Sequence, residues 1–298
     1  MLLLLLGVAC GTPEPPVQVD EEPPAISRIA FGSCAFQWAE QPIFRTIVAA
    51  DPDLYLSLVD AIYGDFDGET TFDVTPDSLR TECGELASSP DWQQLVSNVP
   101  VMATWDNHDY GHHSAGAEFP LKEVSKQIFL DFFGEPADAD RRKRAGIYDA
   151  SILGPAGRRV QIILLDTRYF RDPIDRGTRT AEERREANIV GWYEPTEDTT
   201  RTLLGEAQWR WLASELCKEA EVRLVVSSVQ VVPTEKGMEC WGNMPHERDS
   251  LFELIESTRA NGVVFLSGDV HFAEVSRSDE GPYPLYDFTS SGLAQSPH

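Results

Sequence analysis

Val99-Pro100-Val101-Met102-Ala103-Thr104-Trp105 runs directly into Asp106-Asn107-His108-Asp109. A short, largely apolar run that ends in a polar cluster reads as a buried strand delivering side chains at its carboxyl end. The same pattern recurs along the chain. Ile29-Ala30-Phe31 leads to Gly32-Ser33-Cys34, and Leu54-Tyr55-Leu56-Ser57-Leu58-Val59 leads to Asp60. Val160-Gln161-Ile162-Ile163-Leu164-Leu165 leads to Asp166-Thr167-Arg168, and Val222-Arg223-Leu224-Val225-Val226 leads to Ser227-Ser228. Val263-Val264-Phe265-Leu266 leads to Ser267-Gly268-Asp269-Val270-His271. Helical spacing appears between these runs, over residues 43–48, 121–133, 205–218 and 248–260. Strands alternating with helices predict an α/β fold with a mixed, largely parallel sheet flanked by helices. In such sheets ligands bind beyond the carboxyl ends of the strands. Residues 171–202 are charged and poor in apolar side chains, and read as a long surface excursion.

Composition narrows the function classes. The 298 residues carry 49 acidic against 25 basic side chains, a net charge of −24. Sequence-independent nucleic-acid binding rests on Lys and Arg releasing counterions, so no nucleic-acid partner is expected. A hydrophobic fraction of 42% suits a folded chain rather than a disordered one. After the first ten residues no apolar run approaches the ~20 needed to cross a bilayer.

The chain opens with an apolar run, Leu2 to Ala9, followed by Cys10 and a Pro- and acid-rich stretch. This order resembles a bacterial lipoprotein signal. It predicts a signal over 1–10, a tether over 11–26 and one domain over 27–298. Export to the cell envelope follows, with membrane contact only through a lipid on Cys10. In an oxidising compartment Cys83 and Cys240 are candidates for a disulfide.

Gathered at the strand ends would be Cys34, Asp60, Tyr63, Asp106, Asn107, His108, Asp109, Asp166, Asp269 and His271. Clustered acids repel one another, and their pKa values rise unless cations intervene. Carboxylate, imidazole, amide, phenol and thiol groups together suit a centre of two ions, one of them a transition metal. Two ions clamp the attacking and leaving oxygens of a displacement at phosphorus. Taken singly, each residue has a plainer reading: Cys34 as a buried apolar side chain, Tyr63 as core, His112 and His113 as surface loop, His246 as a cap.

Phe31-Gly32-Ser33-Cys34, Asp60-Ala61-Ile62-Tyr63-Gly64-Asp65, Thr104-Trp105-Asp106-Asn107-His108-Asp109-Tyr110-Gly111 and Gly268-Asp269-Val270-His271 resemble the alkaline phosphatase D (PhoD-like) family of calcineurin-like metallophosphoesterases. The resemblance implies a metallophosphoesterase sandwich and metal-dependent hydrolysis of a small phosphate ester by a metal-activated hydroxide. By the same resemblance, Cys34, Asp60 and Tyr63 would hold iron(III) (Fe3+), with His271 nearby. Asn107 and Asp269 would serve a second site for Ca2+ or another divalent cation. His108 would stabilise the transition state or protonate the leaving alkoxide, Asp109 would orient His108, and Arg168 and Arg171 would grip the phosphate. Residues 64–91 would cover the site. The alternatives are a phosphodiesterase or phospholipase D-like activity at the same centre, and a catalytically impaired surface lipoprotein acting as a binding module. Three departures from the family pattern stand out: Val59-Asp60-Ala61 replaces Gly-Asp-Asn, Asn107 stands where close relatives carry Asp, and Gln295 stands where a relative often has His. The chain ends soon after Gly292, which predicts a sheet lacking its last strands.

Overall fold

The computed structural model describes residues 22–58, 60–66 and 70–294. The expected signal, the tether up to residue 21, Val59 and Gln295 lie outside the described residues.

The first half holds β1 (Ile29–Gly32), α1 (Pro42–Ala49), β2 (Leu54–Ser57), α2 (Pro76–Ser88), α3 (Pro90–Asn98), β3 (Val101–Ala103), α4 (Asn107–Tyr110), α5 (Lys122–Phe132) and α6 (Asp140–Lys143). The second half holds β4 (Asp149–Leu153), β5 (Val160–Leu164), α7 (Ala181–Glu186), α8 (Gly205–Leu216), β6 (Val222–Val226), α9 (Pro245–Thr258), β7 (Val263–Ser267), β8 (Ala273–Ser278) and β9 (Leu285–Ser290). Among the described residues no helix is long and apolar enough to cross a membrane.

The strands divide into two sheets. One is parallel, in the order β1-β2-β3; the other runs β4-β5-β6-β7-β9-β8. In the larger sheet β5, β6, β7 and β9 are parallel, while β4 and β8 are antiparallel at its edges. Between the sheets lie Leu54, Leu56, Ile162, Leu164, Val226 and Leu266. The outer face of the small sheet buries Phe44, Tyr55, Leu79, Trp92 and Phe129 under α1, α2, α3 and α5. The outer face of the large sheet buries Ile163, Val225 and Phe265 under α8 and α9, with Leu212, Leu251 and Ile255. Strands covered on both faces need apolar residues at every position rather than alternation. All four residues of β2 and the last four of β5 are buried accordingly.

Beyond β7 the large sheet continues through β9 to the edge strand β8, and both precede Gly292. Helix α2 and the first residues of α3 fall within the stretch 64–91 expected to cover the site. Their starts are well built: Thr75 and Ser78 form a capping box, Ser89 caps α3, and Pro76 and Pro90 fill the first helical positions. All four cysteines in the described residues are free, and Cys83 packs against the helices over the small sheet. The expected Cys83–Cys240 disulfide is therefore absent.

Candidate functional site

The carboxyl ends of β1, β2, β3, β7 and β9 meet at one end of the sandwich, so segments distant in sequence share one cleft. Asp60, Asn107, His108, Glu239, Asp269 and His271 form part of its lining, and Val190, Trp192, Tyr193 and Met238 form another part. Carboxylate oxygens of Asp60, Asp106 and Asp269 lie within 4.8 Å of one another. Burial and the neighbouring carboxylates push Asp60 and Asp269 well above the usual acid range. The Cys34 thiol is fully buried, 3.6 Å from Asp60 Oδ2 and 3.2 Å from Ser291 Oγ. Burial, with Asp60 next, raises its pKa well above the ordinary thiol value. The Tyr63 hydroxyl lies 3.4 Å from His271 Nε2, and the His271 backbone N–H donates to Ser291 Oγ at 2.9 Å. Ser291 thereby ties the end of β9 to both flanks of the centre.

The residues fit a cation. Asn107 Oδ1 is buried and has no hydrogen-bond partner among the described residues. A buried acceptor left unpaired is costly, unless a ligand completes it. It sits in the same cleft as the mutually repelling carboxylates of Asp60 and Asp269, whose charge a cation would neutralise. Cys34, Asp60, Asp269 and His271 all take a positive φ, between 46° and 70°. For side chains other than glycine this left-handed backbone costs roughly 1–3 kcal/mol each. Nothing in a strand end requires it, and its concentration here marks a geometry held for its side chains.

His108 is oriented by a residue that sequence reasoning passed over. Its Nδ1 lies 2.5 Å from Asp65 Oδ1, and Asp65 is buried. Asp109, the expected partner, faces the other way. Its carboxylate accepts from the backbone N–H groups of Ile62 and Asp106, both at 3.1 Å, and burial pushes its pKa to about 7. Asp109 therefore fastens the turn after β3. Gly64 permits this arrangement. Its N–H donates to His108 O at 3.0 Å, and a Cβ there would stand 2.4 Å from Leu79 Cδ2.

Arg168 and Arg171 do not line the cleft. Arg168 is fully buried and forks onto Asp106 at 2.6 and 2.8 Å, with Glu239 as a further partner. Arg171 donates to the carbonyls of Ser114 and Ala115. The expected phosphate grip is thus a buried ion network beneath the centre. Burial alone would raise Glu239, but Arg168 and Arg171 outweigh it and hold the acid down to about 2. Asp106 also accepts from Ser228 Oγ at 2.6 Å, so Asp106 supports the acid cluster from below. Asp166 stands apart as a structural knot, accepting from Trp105 Nε1 and from the backbone of Ile147, Arg168 and Tyr169.

The cleft wall also departs from expectation. Among the described residues it comes from the excursion, through residues 190–193, while residues 76–88 form α2 against the outer face of the small sheet. His113, read as surface loop, lines the wall as well.

Comparison with known proteins agrees with this architecture. The chain is 25% identical over 231 residues to alkaline phosphatase D of Bacillus subtilis (strain 168), a match covering 66% of this chain and 35% of that protein. The chain therefore spans about a third of the length of the curated relative it matches. A solved structure of PhoD superposes with a TM-score of 0.72 at 19% identity, covering 92% of this chain and 57% of that one. A dimetal phosphatase from Danio rerio superposes at 0.57 with 12% identity, covering 92% and 90%. These two likenesses show the fold, two sheets flanked by helices. The sequence profile of the PhoD-like phosphatases matches residues 29–294, which takes in both sheets and every strand end that meets at the cleft, and on that match the chain belongs to the PhoD-like phosphatase family.

Proposed function

We propose that this protein is a phosphoric ester hydrolase acting on small phosphate esters at a centre of two cations. The observation that carries the reading is Asn107 Oδ1, buried and unpaired beside the carboxylate cluster in the cleft that also holds His108. Cys34, Asp60, Tyr63 and His271 would hold one ion, and Asn107 and Asp269 the second. Fe3+ and Ca2+, or another divalent cation, suit these donors: thiol and phenol groups match a strongly charged ion, amide and carboxylate oxygens a hard one. When bound, the ions supply Lewis acidity and a water acidic enough to act as nucleophile near neutral pH.

The chain's own residues do the rest. Asp65 engages His108 Nδ1, so Nε2 is the nitrogen left to serve the cleft. Positioned by this contact, His108 would deliver a proton from Nε2 to the departing alkoxide oxygen. Arg168 holds Asp106 from behind and keeps the acid cluster from spreading. No Lys or Arg is among the described residues lining the cleft, so bound cations would meet the phosphate charge, with His108 as a hydrogen-bond donor beside them.

Export through the N-terminal signal and anchoring by a lipid on Cys10 belong to the same proposal. Detergent phase partition of full-length protein, with Cys10→Ser as control, tests them. The activity is tested on purified protein with metal content measured by plasma emission. Phenyl phosphate and its diphenyl diester are then compared as substrates, with Asp60→Ala as control. Turnover in the wild type, with both metal and turnover lost in Asp60→Ala, is the expected result. Full metal occupancy with neither ester hydrolysed would leave a binding module.

A further inference from the structure

Two exposed apolar side chains stand together at the mouth of the cleft. Val190 is 65% and Trp192 56% exposed, and both line the space that reaches His108 and Asp60. Scattered surface hydrophobes need no explanation, but an indole at the rim of a polar pocket does.

This exposure is not the looseness of a long excursion. The N–H groups of Val190 and Gly191 donate to Lys236 O at 3.0 and 2.9 Å, and that of Tyr193 to Gly237 O at 2.8 Å. Trp192 O accepts from Gly177 at 2.7 Å. Gly191 is pressed so closely on this neighbour that a Cβ would lie 1.9 Å from Gly237 O. The Arg184 guanidinium stands 3.3 Å from the centre of the Trp192 ring and donates to the carbonyls of Val190 and Gly191. Arg184 thus backs one side of the indole while Trp192 also borders the cleft.

Charge says what such a platform would receive. The cleft is bordered by the carboxylates of Asp60, Glu239 and Asp269, with no Lys or Arg among the described lining residues. A substrate with a second anionic group would find no cationic side chain there. A planar or apolar group would find Trp192 already fixed in place, with little ordering cost.

We infer that Trp192, with Val190 beside it, receives the alcohol part of the ester, and that favoured substrates carry an uncharged aromatic or apolar group there. The inference rests on the phosphoesterase reading and names the substrate class for that site. It makes Trp192 a specificity-determining residue, acting through binding of the group that leaves.

The test compares 2-naphthyl phosphate with β-glycerophosphate on metal-loaded protein. The ratio of kcat/KM values for the two esters, taken in the variant and divided by the same ratio in the wild type, cancels their different intrinsic reactivity. In Trp192→Ala this double ratio is expected to fall about tenfold, equivalent to about 1.4 kcal/mol, while Trp192→Phe keeps most of the preference. A double ratio that does not move overturns the inference. A calorimetric titration of the metal-loaded wild type with 2-naphthylmethylphosphonate and with methylphosphonate needs neither turnover nor a variant. The naphthyl compound is expected to bind at least tenfold tighter, and equal binding overturns the platform. Hydrolysis of neither ester refutes the phosphoesterase reading, and the phosphonate titration still decides the role of Trp192.

Discussion

Removing the Asp65 carboxylate should slow turnover and leave the metals in place. Asp65 Oδ1 lies 2.5 Å from His108 Nδ1, and its side chain is only 3% exposed. A hydrogen bond to a charged group contributes roughly 1.5–3 kcal/mol, against about 0.5–1.5 kcal/mol for a neutral one. Asp65→Asn retains an acceptor and loses the charge, about 1–2 kcal/mol, so kcat should fall roughly 5- to 30-fold. Asp65→Ala leaves Nδ1 without its partner, and kcat should fall about 10- to 150-fold. Asp65 is not among the three carboxylates that approach within 4.8 Å of one another, so metal content should hold. The assay is kcat and KM for phenyl phosphate, normalised to metal measured on the same sample. In a His108→Ala background the further loss of Asp65 should cost little, because the two act as one unit. Asp109→Asn is the contrasting variant. Its carboxylate binds the backbone of Ile62 and Asp106, so it should lower the melting temperature more than kcat per bound metal. The reasoning fails if Asp109→Asn slows metal-normalised kcat as much as Asp65→Ala. It fails equally if the Asp65 effect persists undiminished without His108.

Arg168→Met should destabilise the fold by about 3–5 kcal/mol in urea unfolding, since it leaves Asp106 and Glu239 buried without their partner. Asn107→Leu should cost little stability, because Oδ1 makes no hydrogen bond among the described residues, yet lower cation affinity; metal titration with a melting readout checks both. Stripped of metal, the protein should lose stability as pH rises. Asp60, Asp109 and Asp269 have raised pKa values, so the folded state holds protons that the unfolded chain has released. That stability is complete below the ordinary carboxylate range and is lost as pH climbs through about 7 for Asp109. Melting temperatures of stripped protein from about pH 5 to about pH 8 should fall, and added cations should reduce the fall. A flat profile would contradict the crowding of these acids.

The strands that carry the site were legible because strands covered on both faces must be apolar throughout, as in the runs ending at Asp60 and Asp269. Their partition into two sheets was not, since an apolar run does not say which neighbour it pairs with. Strand β8, Ala-Glu-Val-Ser-Arg-Ser, went unread because an edge strand exposes alternate residues and so has few hydrophobes to display. Helices α2 and α3 were hidden by acidity, although Thr75-Pro76 and Ser89-Pro90 are helix-start signals that could have revealed them. Within the site, residues directly after strands converged, because the strand ends themselves converge. Partners set by side-chain direction did not follow. Asp109 is adjacent to His108 in sequence, yet the turn of α4 points it at the backbone, while Asp65 arrives from the segment after β2. Arg168 resembled a phosphate ligand because nothing in the sequence reveals that Asp106 and Glu239 surround it. The wall formed by residues 190–193 was unreadable for another reason: its anchors are backbone bonds to Lys236 and Gly237, which leave no mark in side-chain pattern.

The left-handed backbone at Cys34, Asp60, Asp269 and His271 has an outcome for protein engineering. Glycine relaxes such a position, so four of the simplest routes to a more heat-resistant variant pass through the residues on which the proposed chemistry depends. A laboratory selection for thermal endurance alone would enrich those replacements and converge on robust, inert descendants. Keeping these four codons fixed while the remainder of the gene is diversified would steer such a campaign clear of that dead end.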